Sequence, residues 1–461
     1  MVQPLAIILA AGEGTRMKSS LPKVMDPLCG KPMLWYILQS AKAVTSKQLL
    51  VIGHGAGQVK DYFGQEYIYV EQRQQLGTGH ALQQVLPHLP DSGEVLVLCG
   101  DTPLLEKDVL EQLVLTNRRQ GAAATVLTAQ MEDPYGYGRI IRDGEGRIRG
   151  IVEEPDLTPE QRTVREINTG SYCFELQALK KHLPFLPQNK YKGEYYLTDL
   201  LPLLLAAGLK VEAYKIDDAV QALGINDRLQ LARATSRMRE RINAALMLSG
   251  VTMIDPATTY IDVGVEIGRD TVIFPQTILE GKTRVGENCR LGPGLQLVDT
   301  IVGNSVFCRQ SVVLESVLQD GAVIGPFAHI RPGSIIGPGA KIGDFVEIKN
   351  STIGKGSKVP HLSYVGDTQM GPAVNMGAGS IVVNYDGRRK HTTSIGEGAF
   401  IGCNSNLIAP VSIGSSSFVA AGSTITHDVP SGSLSISRSR QEIKEGMGKR
   451  LLKKEKNSRK K

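Results

Sequence analysis

In "IGPFAHIRPGSIIGPGAKIG" (Ile324–Gly343) an aliphatic residue followed by glycine returns at Gly325, Gly337 and Gly343, 12 and 6 apart. The same pair stands at Ile267-Gly268, Val285-Gly286 and Leu291-Gly292, 18 and 6 apart, and again at Gly396, Gly402 and Gly414, 6 and 12 apart. A period of six held from about residue 251 onward is a hexapeptide repeat, in which each hexad is one short strand and a turn. Three hexads close one triangular coil with the aliphatic side chain pointing inward, and the coils stack into a prism. Glycine serves the turns that need unusual backbone angles. The chain accordingly has 50 glycines, and its aromatic content of 5% fits an interior too narrow for large rings.

The period slips in places. Gly292 to Gly303 and Gly343 to Gly354 are 11 apart, so single-residue adjustments fall at turns. "NYDGRRKHTT" (384–393) carries no aliphatic hexads and is expected to project from the prism as a loop. Upstream, "NDRLQLARATSRMRERINAALMLS" (226–249) has neither Gly nor Pro, and Asn226 or Asp227 can cap its start. The spacing predicts one long helix with Leu229, Ala232, Met238, Ile242, Ala245 and Leu246 on its apolar face.

Before that helix the pattern is α/β. "LAIIL" (5–9), "QLLVI" (48–52) and "EVLVLC" (94–99) read as buried strands, and "PMLWYILQSAKAV" (32–44) and "TGHALQQVLPHL" (78–89) as helices between them. Strand, helix, strand in that order implies right-handed crossovers and a mostly parallel, Rossmann-like sheet. The expected division is therefore an α/β domain over residues 1–228, a linker helix over 229–249, and the repeat domain over 250–461 with a basic tail from about 438.

A glycine-rich loop, "LAAGEGTRMKSSLPK" (Leu9–Lys23), follows the first strand. It lacks G-x-x-x-x-G-K-[ST], and Met17 breaks the dinucleotide fingerprint after Gly12 and Gly14. What remains is a nucleotidyltransferase-type loop, small residues followed by Thr15, Arg16 and Pro22-Lys23, or a plain glycine turn. Asp101 follows "EVLVLC" directly, so it should stand at the carboxyl edge of the sheet beside this loop, where such folds bind ligands. A carboxylate beside a phosphate loop suggests a hard cation such as Mg²⁺.

The net charge of +6 is concentrated at the end of the chain. Arg438 to Lys461 holds 11 Lys/Arg and 3 Asp/Glu, a net of +8, which leaves −2 for the rest. The tail reads as a solvated, frayed end, and no nucleic-acid or membrane partner is expected. None of the six cysteines forms a C-x-x-C pair, which argues against zinc and against a disulfide framework and fits a reducing compartment. With no basic region before "LAIILAA" and no apolar run of spanning length, a cytoplasmic protein is expected.

"LAAGEGTRM…LPK", "QLGTGHA", "GDTPLL", "GYGRI", "IVEE", "INTG" and "GINDR", in that order and followed by hexapeptide repeats, closely resemble the bifunctional N-acetylglucosamine-1-phosphate uridyltransferase / glucosamine-1-phosphate acetyltransferase family (GlmU type) over almost the whole chain. The resemblance implies a left-handed parallel β-helix for the repeat half, an exception to the usual crossover hand. It also implies a homotrimer, and UTP and acetyl-CoA as co-substrates with Mg²⁺ as cofactor. For uridylyl transfer it implies that the amides of Leu9, Ala10, Ala11 and Gly12 approach the nucleotide while Arg16 and Lys23 neutralise phosphate. Gln72, Gly77 and Thr78 would read the uracil, and Cys99 and Gly100, beside Asp101, would also contact the nucleotide or its sugar product. Asp101 and Asn226 would hold Mg²⁺, and Gly138, Glu153 and Asn168 the N-acetylglucosamine. The family often has Tyr where this chain has Cys99.

In the repeat half, "KVPHLSYVGD" (358–367) and its surroundings bring polar residues into a pattern of aliphatics and glycine. The resemblance implies His361 as general base for acetyl transfer, since an amine attacks a thioester only when unprotonated and a histidine near pKa ~6.5 can take the proton. Arg331, Lys349 and Lys390 would grip phosphate, Tyr364 and Asn375 would place the sugar, and Asn384 and Tyr385 would line the acetyl site. Ala378, Cys403, Ala421 and Arg438 would contact coenzyme A, with Cys403 standing where the family commonly has Ser. No cysteine is placed as an acyl carrier, so direct transfer in a ternary complex is expected.

Overall fold

The computed structural model describes residues 3–189 and 193–458, in two compact units, Met1–Arg241 and Ile242–Lys461. The first unit is α/β. In chain order its main elements are β1 (Leu5–Ala10), the two-residue β2 (Pro27–Leu28) and β3 (Lys31–Pro32), α1 (Met33–Lys42), β4 (Lys47–Ile52), α2 (Ala56–Phe63), β5 (Ile68–Glu71), α3 (Thr78–Gln83), β6 (Glu94–Cys99), α4 (Lys107–Gln120), β7 (Ala124–Gln130), β8 (Arg139–Arg142), β9 (Ile148–Val152), β10 (Glu166–Glu175), α5 (Leu176–His182), α6 (Leu200–Ala206) and β11 (Val211–Ile216).

The main sheet runs β11-β7-β10-β6-β1-β4-β5, with β8 and β9 added beside β10. β5, β4, β1 and β6 are parallel neighbours, as are β7 and β11, while β10 is antiparallel to both β6 and β7. The sheet is thus mostly parallel, as the strand–helix alternation implies. The apolar runs become its buried centre because both faces are covered: Ile7, Leu49, Val51, Val95 and Val97 pack into one layer, and Ile8, Leu50, Leu96 and Leu98 into the other.

α7 (Arg228–Leu248) starts just after Asn226 and Asp227. Its cap is reciprocal: Asp227 Oδ1 accepts from the Gln230 amide (2.8 Å) and Gln230 Oε1 accepts from the Asn226 amide (2.7 Å). The expected apolar face holds in part: Met238 is buried, and Ile242 and Leu246 pack against the core. At its start, Leu231 and Ala234 are buried in place of Ala232 and of Leu229, which is 62% exposed, and further on Ala245 also faces solvent. The i, i+3/i+4 pattern admits both phases, and the polar residues around Leu229 do not separate them. The division between the two units falls within this helix.

The second unit is the prism. Strands of two to four residues build three parallel sheets of 11, 10 and 9 strands, each coil giving one strand to each face of a left-handed β-helix. Pairing reveals the coil length: Val272 pairs with Arg290, Arg290 with Phe307, and Phe307 with Val323, so that each of these coils is slightly shorter than the one before. Asn375 pairs with Phe400 across a much longer stretch, and the extra residues leave the coil as the loop expected at 384–393. The inward residues (Ile324, Ile336, Ile342, Ile348, Ile353 and Val359 among them) are fully buried and stack in one continuous core. The tail does not simply fray. It holds α8 (Met447–Ser458), solvent-exposed as far as Leu452, whose helical period lay hidden under the charge run.

Candidate functional site

Three loops meet at the carboxyl edge of β1 and β6. The Gly100 amide donates to Leu9 O (2.9 Å), which carries the β1–β6 ladder past the strand ends and sets Leu9–Gly12 beside Asp101. A cleft of about 290 Å³ opens there, lined by Leu9, Ala10, Ala11, Gly12, Lys23, Gln72, Gly77, Thr78, Cys99 and Asp101, with Val24, Gln75, Ala81 and Glu194. Most of the expected nucleotide contacts therefore share one cavity. Gly77 has φ +95°, and a Cβ on it would lie 2.6 Å from Tyr195 O, so only glycine turns the chain into α3 here.

Lys23 is the hub of the cleft. Its Nζ is 2.5 Å from Asp101 Oδ2 and 2.7 Å from Asn226 Oδ1, and Arg16 Nη2 also donates to Asn226 Oδ1 at 2.9 Å. Asn226 arrives through main-chain pairing, since the Ile225 amide donates to Asp101 O (3.0 Å). Arg228 fixes the approach. Its Nη1 is 2.6 Å from Oδ1 of the buried Asp26, and its Nε donates to Met17 O at the end of the glycine loop (3.2 Å). Cys99 Sγ donates to Gly170 O (3.4 Å). Its removal from bulk water, aided by the Asp101 carboxylate, pushes the thiol up to about 12, so it is neutral and no nucleophile at ordinary pH.

The expected sugar contacts lie beyond Cys99. Asn168 N donates to Gly138 O (2.8 Å), Thr198 Oγ1 donates to Glu153 Oε1 (3.2 Å), and a Cβ on Gly138 would come within 3.4 Å of Glu153 Oε2. Gly138, Glu153 and Asn168 thus form one row.

On the prism, His361 closes a strand (Lys358–His361) and its Nδ1 meets Asp344 Oδ1 at 2.7 Å. The hydrogen bond from His361 holds the Asp344 carboxyl below the usual carboxylate range. After the next corner, Lys349 Nζ lies 3.4 Å from Asp367 Oδ2, which also accepts from Asn384 Nδ2 (2.5 Å), while Asn350 Nδ2 donates to Asp367 Oδ1 (2.7 Å). Burial raises the Asp367 carboxyl, but the amides of Asn350 and Asn384 and the Lys349 ammonium outweigh it and leave the group below its ordinary range. Tyr364 Oη is 3.4 Å from Asn384 Nδ2, and a Cβ on Gly366 would lie 2.5 Å from that hydroxyl, so glycine is required beneath the ring.

Arg331 pairs with Glu347 at 2.8 Å. The projecting loop returns through a Tyr385–Lys390 bridge, and the Lys349 ammonium holds Lys390 below the usual amine range. Ala378, Cys403 and Ala421 climb one edge of the prism: Asn404 N donates to Ala378 O, Gly422 N to Cys403 O, and Arg438 Nη1 to Ala421 O (2.8, 2.8 and 2.7 Å). The Gly379 amide donates to Leu362 O (3.0 Å), so this edge continues the corner that bears His361. Asn375 stands on the same face, paired with Lys358, and no hydrogen bond joins its side chain to the Lys349–Asp367 group among the described residues.

Asp344, Asp367, Glu347, Arg228 and Glu194 were not singled out in the sequence. The first two could have been found from the coil length, since Asp344 lies one coil before His361 and Asp367 about one coil after Lys349. Among the described residues no group of three or more His, Cys, Asp or Glu gathers for a metal, and no helix is long and apolar enough to cross a membrane.

Residues 6–169 match the MobA-like NTP transferase domain, and 315–350 and 392–427 match the bacterial transferase hexapeptide. Over its full length the chain is similar to proteins named "Bifunctional protein GlmU". It is 50% identical to that of Geobacillus sp. (strain WCH70), over 98% of this chain and 99% of the relative. To that of Geobacillus thermodenitrificans it is 50% identical, over 99% and 100%. To that of Enterococcus faecalis it is 49% identical, over 97% and 98%.

Proposed function

The chain belongs to the bifunctional GlmU family, and from that premise we propose that it carries out two consecutive transfers in UDP-N-acetylglucosamine synthesis. It acetylates glucosamine 1-phosphate with acetyl-CoA, then transfers uridylyl from UTP to the resulting N-acetylglucosamine 1-phosphate and releases pyrophosphate. The observation that carries this reading is the presence in one chain of two separate polar centres, Lys23–Asp101–Asn226 and Asp344–His361. Residues 1–228 hold the uridylyl site, 229–249 the linker and 250–461 the acetyl site.

In the acetyl step, the Nδ1–H of His361 donates to Asp344 and leaves the Nε2 lone pair to take a proton from the substrate ammonium or amine. The nitrogen attacks the thioester carbonyl, the C–S bond breaks, and coenzyme A leaves as thiolate. Lys349, Lys390 and Arg331 hold the phosphate, Tyr364 and Asn375 the sugar, and Asn384 and Tyr385 the acetyl group. Coenzyme A lies along Ala378, Cys403, Ala421 and Arg438. Cys403 is free and exposed at this edge, and it serves as a contact residue rather than an acyl carrier.

In the uridylyl step, a phosphate oxygen of N-acetylglucosamine 1-phosphate attacks the α-phosphorus of UTP and pyrophosphate departs, so the protein's task is positioning and charge neutralisation. The Leu9–Gly12 amides meet the phosphates, Arg16 and Lys23 offset their charge, and Gln72, Gly77 and Thr78 face the uracil. Gly138, Glu153 and Asn168 fix the sugar. Asp101 and Asn226 turn two oxygens toward the Lys23 ammonium, with Arg16 also on the Asn226 oxygen, and this pair of hard oxygen donors would suit Mg²⁺. When bound there, the ion neutralises charge on the reacting phosphates. The protein works as a cytoplasmic homotrimer. The exposed stacked pairs Phe327–Phe345 and Phe400–Phe418 on the prism are the kind of surface that assembly covers.

The test is to supply purified protein with UTP, acetyl-CoA, Mg²⁺ and glucosamine 1-phosphate and to follow free coenzyme A and pyrophosphate. Both should appear, with pyrophosphate dependent on acetyl-CoA. Pyrophosphate release that ignores acetyl-CoA would sink the coupled reading.

A further inference from the structure

Arg139 is 2% exposed, yet it carries a full charge into the β8–β9–β10 layer. Its Cα partners are Val152 on β9 and Ile167 on β10. One position further along those strands lie Gly138, Glu153 and Asn168, the row assigned to the sugar. Arg139 is therefore the middle of the row beneath the sugar contacts.

Its guanidinium reaches all three segments that bear them. Nη1 donates to Tyr137 O, next to Gly138. Nη2 is 2.8 Å from Glu154 Oε2, next to Glu153. Nε donates to Val164 O (3.0 Å), in the approach to β10 and Asn168. Glu154 in turn accepts from Gly136 N (3.3 Å) and Arg162 Nη1 (3.1 Å), which closes the network over the loop ends. A buried guanidinium must satisfy its donors, and here it does so only if the three chain segments hold one relative position. Lysine, with one point charge, cannot serve two carbonyls and a carboxylate spread over this fork.

We propose that Arg139 is a positioning residue for the acceptor sugar: it never touches the substrate, but it clamps Gly138, Glu153 and Asn168 into register and so sets the affinity for N-acetylglucosamine 1-phosphate. The proposal rests on the reading of that row as the sugar site. Its ion pair with Glu154 also gives the adjacent carboxylates at 153 and 154 separate tasks. Glu154 answers the charge of the clamp, and Glu153 stands in the sugar row.

The experiment compares Arg139→Met, Arg139→Lys and Glu153→Gln in the full-length protein, with KM for each substrate measured separately. KM for UTP, bound in the same unit as Arg139, reports whether that unit is folded, and acetyl transfer reports the other unit. Arg139→Met should raise KM for N-acetylglucosamine 1-phosphate at least about tenfold, Arg139→Lys by an intermediate factor, and both should leave KM for UTP and acetyl transfer within about twofold. Should Arg139→Met fail to fold, Arg139→Lys carries the same comparison. If Glu153→Gln raises the sugar KM and the Arg139 variants do not, the clamp is refuted while the site stands. If the Arg139 variants raise both KM values alike, the role is structural only and the proposal falls. If none of the three changes the sugar KM, the row is not the sugar site and the proposal goes with it.

Discussion

Asp344 Oδ1 lies 2.7 Å from His361 Nδ1, and the two residues are register partners on successive coils of the prism. Neither could meet the other through sequence proximity. The repeat joins them, because the path from Asp344 to His361 is one full coil at this level. The carboxylate fixes the ring's orientation and its tautomer, and it faces the positive charge that forms when Nε2 takes a proton.

Asp344→Asn should accordingly lower kcat for acetyl transfer roughly 100-fold, the low end of what a positioned general base contributes, and leave uridylyl transfer within about twofold. Because the folded-state carboxyl is held below its ordinary range, the pair's contribution is complete above the ordinary carboxylate pKa of ~3.9 and is lost as pH falls through the lower folded value. Acid unfolding curves of wild type and variant should then be separated above about pH 4 and converge as pH falls below it. Curves that stay equally far apart at the lowest pH reached would show that the carboxyl does not carry the difference.

His361→Ala should abolish acetyl transfer and spare uridylyl transfer supplied with N-acetylglucosamine 1-phosphate. With Cys403 as a contact residue only, Cys403→Ser should keep acetyl transfer within a few-fold, and mass spectrometry of protein quenched in turnover should find no acetyl group on the enzyme. A stoichiometric acetyl-enzyme would overturn direct transfer.

The prism was legible because its signal is redundant: many short strands repeat one rule, so a slightly shortened coil, such as the one from Phe307 to Val323, does not erase the period. The strands at Leu5, Lys47 and Glu94 were legible as continuous apolar runs, which two-sided burial demands. The antiparallel β10 was not, because a buried strand reads the same in either direction and only its partners reveal its sense. Most site residues came from motif resemblance. Their counter-charges, Asp344 with His361, Asp367 with Lys349 and Glu347 with Arg331, did not, since they are defined by stacking rather than by a local motif.

Lys390 faces Lys349 and is held below the ordinary amine range by that neighbour. A phosphate placed between the two ammonium groups removes the repulsion and draws a proton back. Glucosamine 1-phosphate binding in alkaline buffer should therefore be accompanied by proton uptake, visible in titration calorimetry as a heat that depends on the buffer's ionisation enthalpy. Lys349→Met should eliminate that dependence and raise the substrate KM about tenfold or more. Uptake unchanged in Lys349→Met would place the proton elsewhere.

Lys23 stands between the two oxygens assigned to the divalent ion, 2.5 Å from Asp101 Oδ2 and 2.7 Å from Asn226 Oδ1. Arg16 already shares Asn226 Oδ1 at 2.9 Å, so a divalent ion on these oxygens would meet strong repulsion unless the Lys23 ammonium turned toward phosphate. Lys23→Ala should thus bind Mn²⁺ several-fold more tightly than wild type in the absence of nucleotide, measured by electron paramagnetic resonance of the free ion. The same variant should lose uridylyl transfer at least about 100-fold, because the charge offset at the phosphates is gone. Chelation with EDTA should stop pyrophosphate release in the wild type while coenzyme A release continues. Weaker Mn²⁺ binding by Lys23→Ala would mean that the lysine organises the oxygens for the ion rather than competing with it.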